Sequence, residues 1–333
     1  MSRQIYLQKS LASPENMPLQ MPKPLYELSE QELQRKICIS KITTHVLKQL
    51  TIKFLKENFE WLLPVIFSKS TDPLWPDPGA SIEKRVEVEI YGHPLRTTQS
   101  MIVHKMVACS LIYPKLFVLS PNIRIERRER ASTGKHAYEF TQLDFEVKNA
   151  TSNSIRSFVE KIICELLSSL RRGMSEELTS LGRYDSFKIP ETPFKIYDIK
   201  KLQDENGSSW EERLALEISE PVWVTNIPRE FYDYEDFEKG KWDNYDLFVP
   251  KYGEILSGSK REWEYGKIVE KMERDGVIKE NYAVLLKLAK DGKLKPSAGA
   301  GIGIERLVSW IVGAQHIGET QPFPKIPGTI YDL

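Results

Sequence analysis

Cysteine is scarce: Cys38, Cys109 and Cys164 are the only three, they lie far apart, and no C-x-x-C occurs. That excludes a disulfide framework and a zinc knuckle, and it points to a reducing compartment, the cytoplasm. Net charge is lacking as well, since 47 Lys+Arg balance 47 Asp+Glu over 333 residues. No global field therefore steers the chain toward nucleic acid or an anionic membrane, although a local basic patch is compatible with neutrality. Long apolar runs are missing too. The opening stretch MSRQIYLQKSLASPENMPLQMPKPL has no apolar h-region, and nothing later approaches the roughly 20 residues of a membrane span.

What is present divides by periodicity. Residues 1–28 hold four prolines and little apolar pattern, which reads as an extended arm, either docked or disordered. Ser29 and Glu32 form a capping box for a long helix with Leu33, Ile37, Leu47, Leu50 and Phe54 near helical spacing. The stretch STDPLWPDPGA is a Pro-rich break. From Arg85 to about Val147 short period-two segments predict antiparallel strands. Residues 152–181 predict helix, with Ile155, Phe158, Val159, Ile162, Ile163, Leu166 and Leu170 on one stripe. Strand-like PVWVTNIP and YDLFVPKYGEILSG follow, then helices at SKREWEYGKIVEKMER and NYAVLLKLAK, then a glycine-rich strand and a last helix. Residues 29–333 are expected to form a single α+β domain, an antiparallel sheet flanked by helices.

Two stretches carry chemistry. In SPNIRIERRERASTGKHAYEFTQLDFEV, period two places Asn122, Arg124 and Glu126 on one face of a strand. In the second arm Phe140, Gln142, Asp144 and Glu146 share a face opposite Leu143, Phe145 and Val147. The intervening charged loop is compatible with a plain solvated loop, but an arginine, a ring and carboxylates on one face also suit a phosphate-bearing aromatic ligand. In PSAGAGIGIERLVSWIVG, Gly299, Gly301 and Gly303 strip one strand face of side chains, and Arg306 follows on a helix. A flat group could lie on that bare backbone between Phe140 and Arg306. The alternative is a glycine strand packed under a helix. No G-K-[ST] follows, so this is not a P-loop.

These residues carry a resemblance. G-x-G-x-G-x-E-R at Gly299 to Arg306 resembles the third signature motif of class II aminoacyl-tRNA synthetases. Arg124-x-Glu126, the long loop and His136-x-x-Glu139-Phe140-Thr-Gln-Leu-Asp144 resemble the second, in its aspartyl and asparaginyl form. FLKENFEWLLPVIFSKS, with Pro64, is similar to the first. LRTTQSMIVHK and DLFVPKYGEILSGSKR resemble the amino-acid-binding and metal-binding stretches of the same subgroup. The resemblance implies ATP and Mg²⁺ as cofactors. It implies that Arg124 holds the α-phosphate, Glu126 the adenine amino group, His136 the terminal phosphate, and Phe140 and Arg306 the adenine faces, with Gly301 and Gly303 beneath. Asp246, Glu254 and Ser257 are the implied metal residues. Gln99, Ser100, Lys105, Gln142, Asp144 and Arg261 are the implied residues for an aspartate-like substrate, with Arg124, Asp144 and Arg306 as the catalytic set. A homodimer is implied through the first motif.

The departures matter equally. Only a helix and the arm precede the resembling core, where the subgroup's tRNA ligases carry an anticodon-reading domain, so tRNA is not the expected partner. Met101-Ile102 stands where Pro-Gln is usual, Ser297 where histidine is common, and Lys325 where arginine is usual. The expectation is therefore an asparagine synthetase related to asparaginyl-tRNA synthetase, joining aspartate and free ammonia at the expense of ATP through a β-aspartyl adenylate. The alternatives are a stand-alone adenylating relative that passes its aminoacyl group to tRNA or another macromolecule, and a silent regulatory relative.

Overall fold

The computed structural model describes residue 19 and residues 21–69 and 82–332. Most of the N-terminal arm and the Pro-rich break lie outside the described residues. The helices are α1 (Glu30–Lys56), α2 (Ile102–Leu111), α3 (Ser152–Gly173), α4 (Ser175–Ser180), α5 (Ile199–Asn206), α6 (Trp210–Glu217), α7 (Tyr265–Arg274), α8 (Ala283–Lys290) and α9 (Ile304–Val312). The strands of the main sheet are β1 (Glu60–Trp61), β2 (Lys115–Ile123), β3 (Glu139–Lys148), β4 (Lys195–Asp198), β5 (Val222–Thr225), β6 (Asn244–Val249), β7 (Gly253–Lys260) and β8 (Ser297–Gly303). Their spatial order is β1-β2-β3-β8-β7-β6-β5-β4. Every pair from β2 to β5 is antiparallel, and only the outermost strands pair in parallel.

The capping box starts α1 as its sequence demands. The Glu32 amide donates to Ser29 Oγ at 3.3 Å, and the Ser29 amide donates to Glu32 Oε2 at 2.7 Å. The buried stripe of α1 is Ile39, Ile42, Val46, Leu50 and Phe54. Leu33 and Ile37 are exposed, so the stripe begins later than the sequence suggests. The first turns instead run beside the C-terminal segment, where Lys36 Nζ donates to the carbonyls of Glu319 and Gln321, each at 2.6 Å. Phe54 anchors an aromatic cluster, with the rings of Phe59, Phe117, Phe145 and Phe158 centred 4.9 to 5.4 Å away. Burying such side chains stabilises by about 2 kcal/mol each, and Phe54→Ala would cost about 3 to 5 kcal/mol through the cavity it leaves.

Helices α1, α3 and α9 cover one face of the sheet. Leu143 and Phe145 of β3, and Ala298, Ala300 and Ile302 of β8, point into that layer. Strict period-two alternation then sends Gln142, Asp144, Glu146 and the three glycines to the other face. Helix α2 lies on this polar face, within the stretch read from sequence as strands alone. Ile102, Val103, Lys105, Met106, Cys109 and Ser110 are all buried there, and with Lys105 and Ser110 inside that face and Val107, Ala108 and Leu111 outside it no clean apolar stripe announces it as a helix. The helix expected from Ser259 starts only at Tyr265, because Ser259 and Lys260 still pair with Gly299 and Ala298. No helix among the described residues is long and apolar enough to cross a membrane.

Candidate active site

Strands β3, β7 and β8, the segments around Arg124–Glu126 and Lys135–Ala137 and the start of α9 surround a cavity of about 120 Å³. Arg124, Glu126, Lys135, His136, Phe140, Gln142, Glu254, Gly301, Gly303, Glu305 and Arg306 line it. Far apart in sequence, Phe140 and Arg306 thus reach one space. Arg306 is braced rather than loose, donating from Nη1 to the Glu254 carbonyl at 3.0 Å and from Nε to the Lys135 carbonyl at 3.3 Å. Glu305 fixes the neighbouring strand, because its carboxylate accepts the Thr141 amide at 2.9 and 3.0 Å. Burial pushes the Glu305 carboxyl up to about 7.

The cavity concentrates cations. Burial and the nearby Arg306 lower the pKa of Arg124 and of Lys135. His136 is pushed down to about 3 by burial and by Arg306, Arg130, Lys135 and Arg124, while its Nδ1 sits 2.7 Å from Thr133 Oγ1. Arg124, Lys135 and Arg306 repel one another beside a neutral His136, and an anion would relieve that repulsion.

A buried polar cluster adjoins it on the same sheet face. Lys105, 2% exposed, projects from α2 and donates to Asp144 Oδ1 at 2.8 Å and to the Ala300 carbonyl at 3.1 Å. Arg261 is likewise 2% exposed. It donates to Glu146 Oε1 at 3.2 Å, Asp233 Oδ1 at 2.9 Å, Ser259 Oγ at 2.7 Å and the Gly299 carbonyl at 3.3 Å. Both cations expected to meet a substrate carboxylate are therefore already held by protein carboxylates, which the sequence alone does not disclose. Gln142 accepts from Asn122 Nδ2 at 2.8 Å, and Ser100 Oγ accepts the Ile102 amide at 3.3 Å at the start of α2. Gln99 presents its carbonyl to Arg124 Nε at 3.1 Å. Among the described residues, Gln99 Oε1, Asn122 Oδ1 and Asp144 Oδ2 are buried acceptors without a hydrogen-bond partner.

The glycine strand corrects one expectation. A side chain at Gly299 would collide with the Phe145 carbonyl and the Glu146 carboxylate, and one at Gly301 would meet Asp144 Oδ1 at 2.9 Å. Gly299 makes room for neighbouring strand atoms rather than lying bare, and Gly301 does so while still lining the cavity. At Gly303 the nearest atom is Arg306 Cβ at 3.7 Å, an ordinary van der Waals distance, so a side chain would fit there at the cavity wall.

Asp246 and Ser257 face each other across β6 and β7, and Glu254 lies near them on β7. Asp246 is pushed up to about 7, chiefly by burial and also by Glu254, against the opposing pull of Arg229. Its Oδ1 has no partner among the described residues. Two carboxylates with an unsatisfied oxygen suit a hard divalent cation, and no group of three or more His, Cys, Asp or Glu placed to hold a metal occurs among the described residues. Ser257 Oγ instead accepts from Arg229 Nη1 at 2.5 Å. Arg229, Asp233, Lys135, Glu146 and Glu305 are participants that sequence reasoning did not assign. Of these, Glu146 had a signal in its place on the polar face of β3, and Glu305 in the G-x-G-x-G-x-E-R motif.

Residues 30–327 match the family described as tRNA synthetases class II (D, K and N). Among curated proteins, the chain is 27% identical over 293 residues to the asparagine–tRNA ligase of Thermoplasma acidophilum, covering 82% of this chain and 65% of that one. It is 27% identical over 328 residues to the asparagine–tRNA ligase of Koribacter versatilis, covering 90% and 70%. The chain thus spans about two thirds of the length of these relatives. Among solved structures it is similar in fold to the asparaginyl-tRNA synthetase of Pyrococcus horikoshii complexed with asparaginyl-adenylate, with a TM-score of 0.78 at 23% identity, covering 93% and 76%. The corresponding enzyme of Entamoeba histolytica gives 0.77 at 20% identity, covering 91% and 69%. By its family match over most of its length, this chain belongs to the class II tRNA synthetases of the D, K and N group.

Proposed function

We propose that the chain activates the carboxylate of an aspartate- or asparagine-class amino acid with ATP and passes the acyl group to an acceptor. The observation that carries this reading is the convergence on one cavity of the mutually repelling cations Arg124, Lys135 and Arg306, beside a neutral His136. A triphosphate relieves that repulsion, Glu126 suits the adenine amino group, and Phe140 offers an aromatic face. The buried acceptors Gln99 Oε1, Asn122 Oδ1 and Asp144 Oδ2 match a ligand that brings donors, as an amino acid's ammonium group does.

In the first step a carboxylate oxygen attacks the α-phosphorus, the bond to the bridging oxygen breaks, and pyrophosphate leaves. Arg124 stabilises the charge that builds on the α-phosphoryl oxygens, and His136 meets the terminal phosphate. Asp246 and Glu254 would hold Mg²⁺, which screens the phosphate charge. In the second step the acceptor's nucleophile attacks the acyl carbon and AMP departs. The relatives named asparagine–tRNA ligase support tRNA or another macromolecule as acceptor. The second reading, ammonia as acceptor to give asparagine, is favoured by Met101-Ile102 and Ser297, which depart from the pattern of the tRNA ligases. Ser297 Oγ donates to Glu146 at 2.8 Å.

A homodimer belongs to the same reading: Trp61, Leu63, Ile66 and Phe67, in the segment resembling the first motif, are exposed. ATP–pyrophosphate exchange measured with aspartate and with asparagine tests the first step. Absence of exchange with either sinks the proposal. Mass spectrometry after adding ammonium, beside acid-precipitable label after adding total tRNA, separates the two acceptors.

A further inference from the structure

We propose that Arg229 is a built-in counter-cation for Asp246, competing with the divalent cation for the same oxygen atoms. This rests on the ATP-activating reading above. Arg229 lies in the segment just after β5, and that segment is anchored by backbone and amide contacts. The Ile227 amide donates to Asn244 Oδ1 at 2.9 Å, Asn244 Nδ2 donates to the Ile227 carbonyl at 2.7 Å, and the Trp242 amide donates to Asn226 Oδ1 at 3.0 Å. From this fixed base the guanidinium reaches both Asp246 Oδ2 and Ser257 Oγ. These two residues are direct cross-strand partners.

Arg229 therefore bridges a carboxylate and a hydroxyl that a hard cation would also seek. The other Asp246 oxygen is buried without a partner among the described residues. Asp246 is 4% exposed, so in the absence of metal its charge has little water to stabilise it, and the guanidinium does so instead. The Arg229 side chain keeps 18% of its surface, and it feels Asp233, Glu230 and Glu254 as well as Asp246. Two cations on one carboxylate repel each other, so each weakens the binding of the other, and the coupling is reciprocal. Arg229 thereby holds the strand pair together before the cation arrives and sets how tightly the cation alone binds.

The test uses the full chain with Mn²⁺ as probe and no nucleotide, following free Mn²⁺ by electron paramagnetic resonance and unfolding midpoints with and without EDTA. Arg229→Met keeps length and removes charge. It is expected to melt below the parent in EDTA, to bind Mn²⁺ about tenfold more tightly, and to gain more in midpoint from Mn²⁺ than the parent gains. Arg229→Lys keeps the charge but loses the fork, and it is expected to fall between the two, which covers the case in which the Met variant does not fold. Mn²⁺ affinity in the folded variants equal to or weaker than the parent's overturns the inference. Stabilisation of the parent by ATP with Mg²⁺ is measured in parallel. If the parent shows none, the ATP reading fails and this inference with it. If the parent shows it and the variants bind Mn²⁺ as the parent does, this inference alone fails.

Discussion

Arg124 lies across the face of Phe140, its Cζ 5.0 Å from the ring centroid. The guanidinium thus covers the aromatic surface proposed for the purine, and its Nε is tied to the Gln99 carbonyl. For Phe140 to stack on adenine, Arg124 must turn toward the phosphates. Losing this arginine removes a stabilising contact in the reacting state as well as a lid on the ring. Arg124→Ala is expected to lower amino-acid-dependent pyrophosphate exchange by about a hundredfold or more, whereas Phe140→Ala should act mainly on the KM for ATP. Exchange within a factor of a few of the parent for Arg124→Ala would contradict the assignment.

The Lys105–Asp144 pair, both partners about 2 to 3% exposed in their side chains, makes a stability prediction. Glu146 stands 3.9 Å from the same ammonium. Removing Lys105 leaves two buried carboxylates beside each other, so Lys105→Ala is expected to cost about 3 to 5 kcal/mol in urea unfolding. Replacing both partners at once, by Lys105→Met with Asp144→Leu, should recover most of that loss while exchange activity stays absent. A single-variant loss below about 1 kcal/mol would mean the pair is effectively solvated.

The sheet and its polar face were legible because β3 and β8 keep strict alternation, and α1 and α3 because their stripes and caps follow local rules. Most of the residues lining the cavity were legible through their motifs, but Lys135 was not. Their partners were not, since ion pairs join positions far apart in sequence: Arg261 to Glu146 and Asp233, Arg229 to Asp246. Alternation places Glu146 on the polar face but says nothing of what it touches. Helix α2 stayed hidden because its buried face carries the polar Lys105 and Ser110 while its outer face carries Val107, Ala108 and Leu111, which blurs the amphipathic period that would reveal it.

His136 yields a pH prediction. Its pKa falls from 6.5 to about 3 in the folded chain, so between those values the unfolded chain binds more protons. This contribution to stability is complete above about pH 6.5 and is lost as pH falls toward 3. An anionic triphosphate reverses the local field, raises the imidazole pKa and draws in a proton. Nucleotide affinity is therefore expected to strengthen as pH drops from 7 to 5.5 in the parent, measured by calorimetry in two buffers to count protons. His136→Asn should flatten that dependence. An equal slope in both proteins would place the proton elsewhere.

The three alternating glycines are predicted to respond unequally to alanine. At Gly299 the new Cβ would press on the rigid Phe145 carbonyl and on the Glu146 carboxylate that holds Arg261. At Gly301 it would meet the ends of two side chains, Asp144 Oδ1 at 2.9 Å and Gln142 Nε2 at 3.0 Å, which can yield at the expense of the Lys105 and Asn122 contacts. At Gly303 it finds ordinary van der Waals distance. Overpacking a fitted site costs about 1 to 3 kcal/mol. Gly299→Ala should therefore reach or exceed that range, Gly301→Ala fall within it, and Gly303→Ala leave stability near the parent while raising the KM for ATP. Unfolding midpoints in the reverse order would show that the strand face opens to ligand at Gly299 rather than at Gly303.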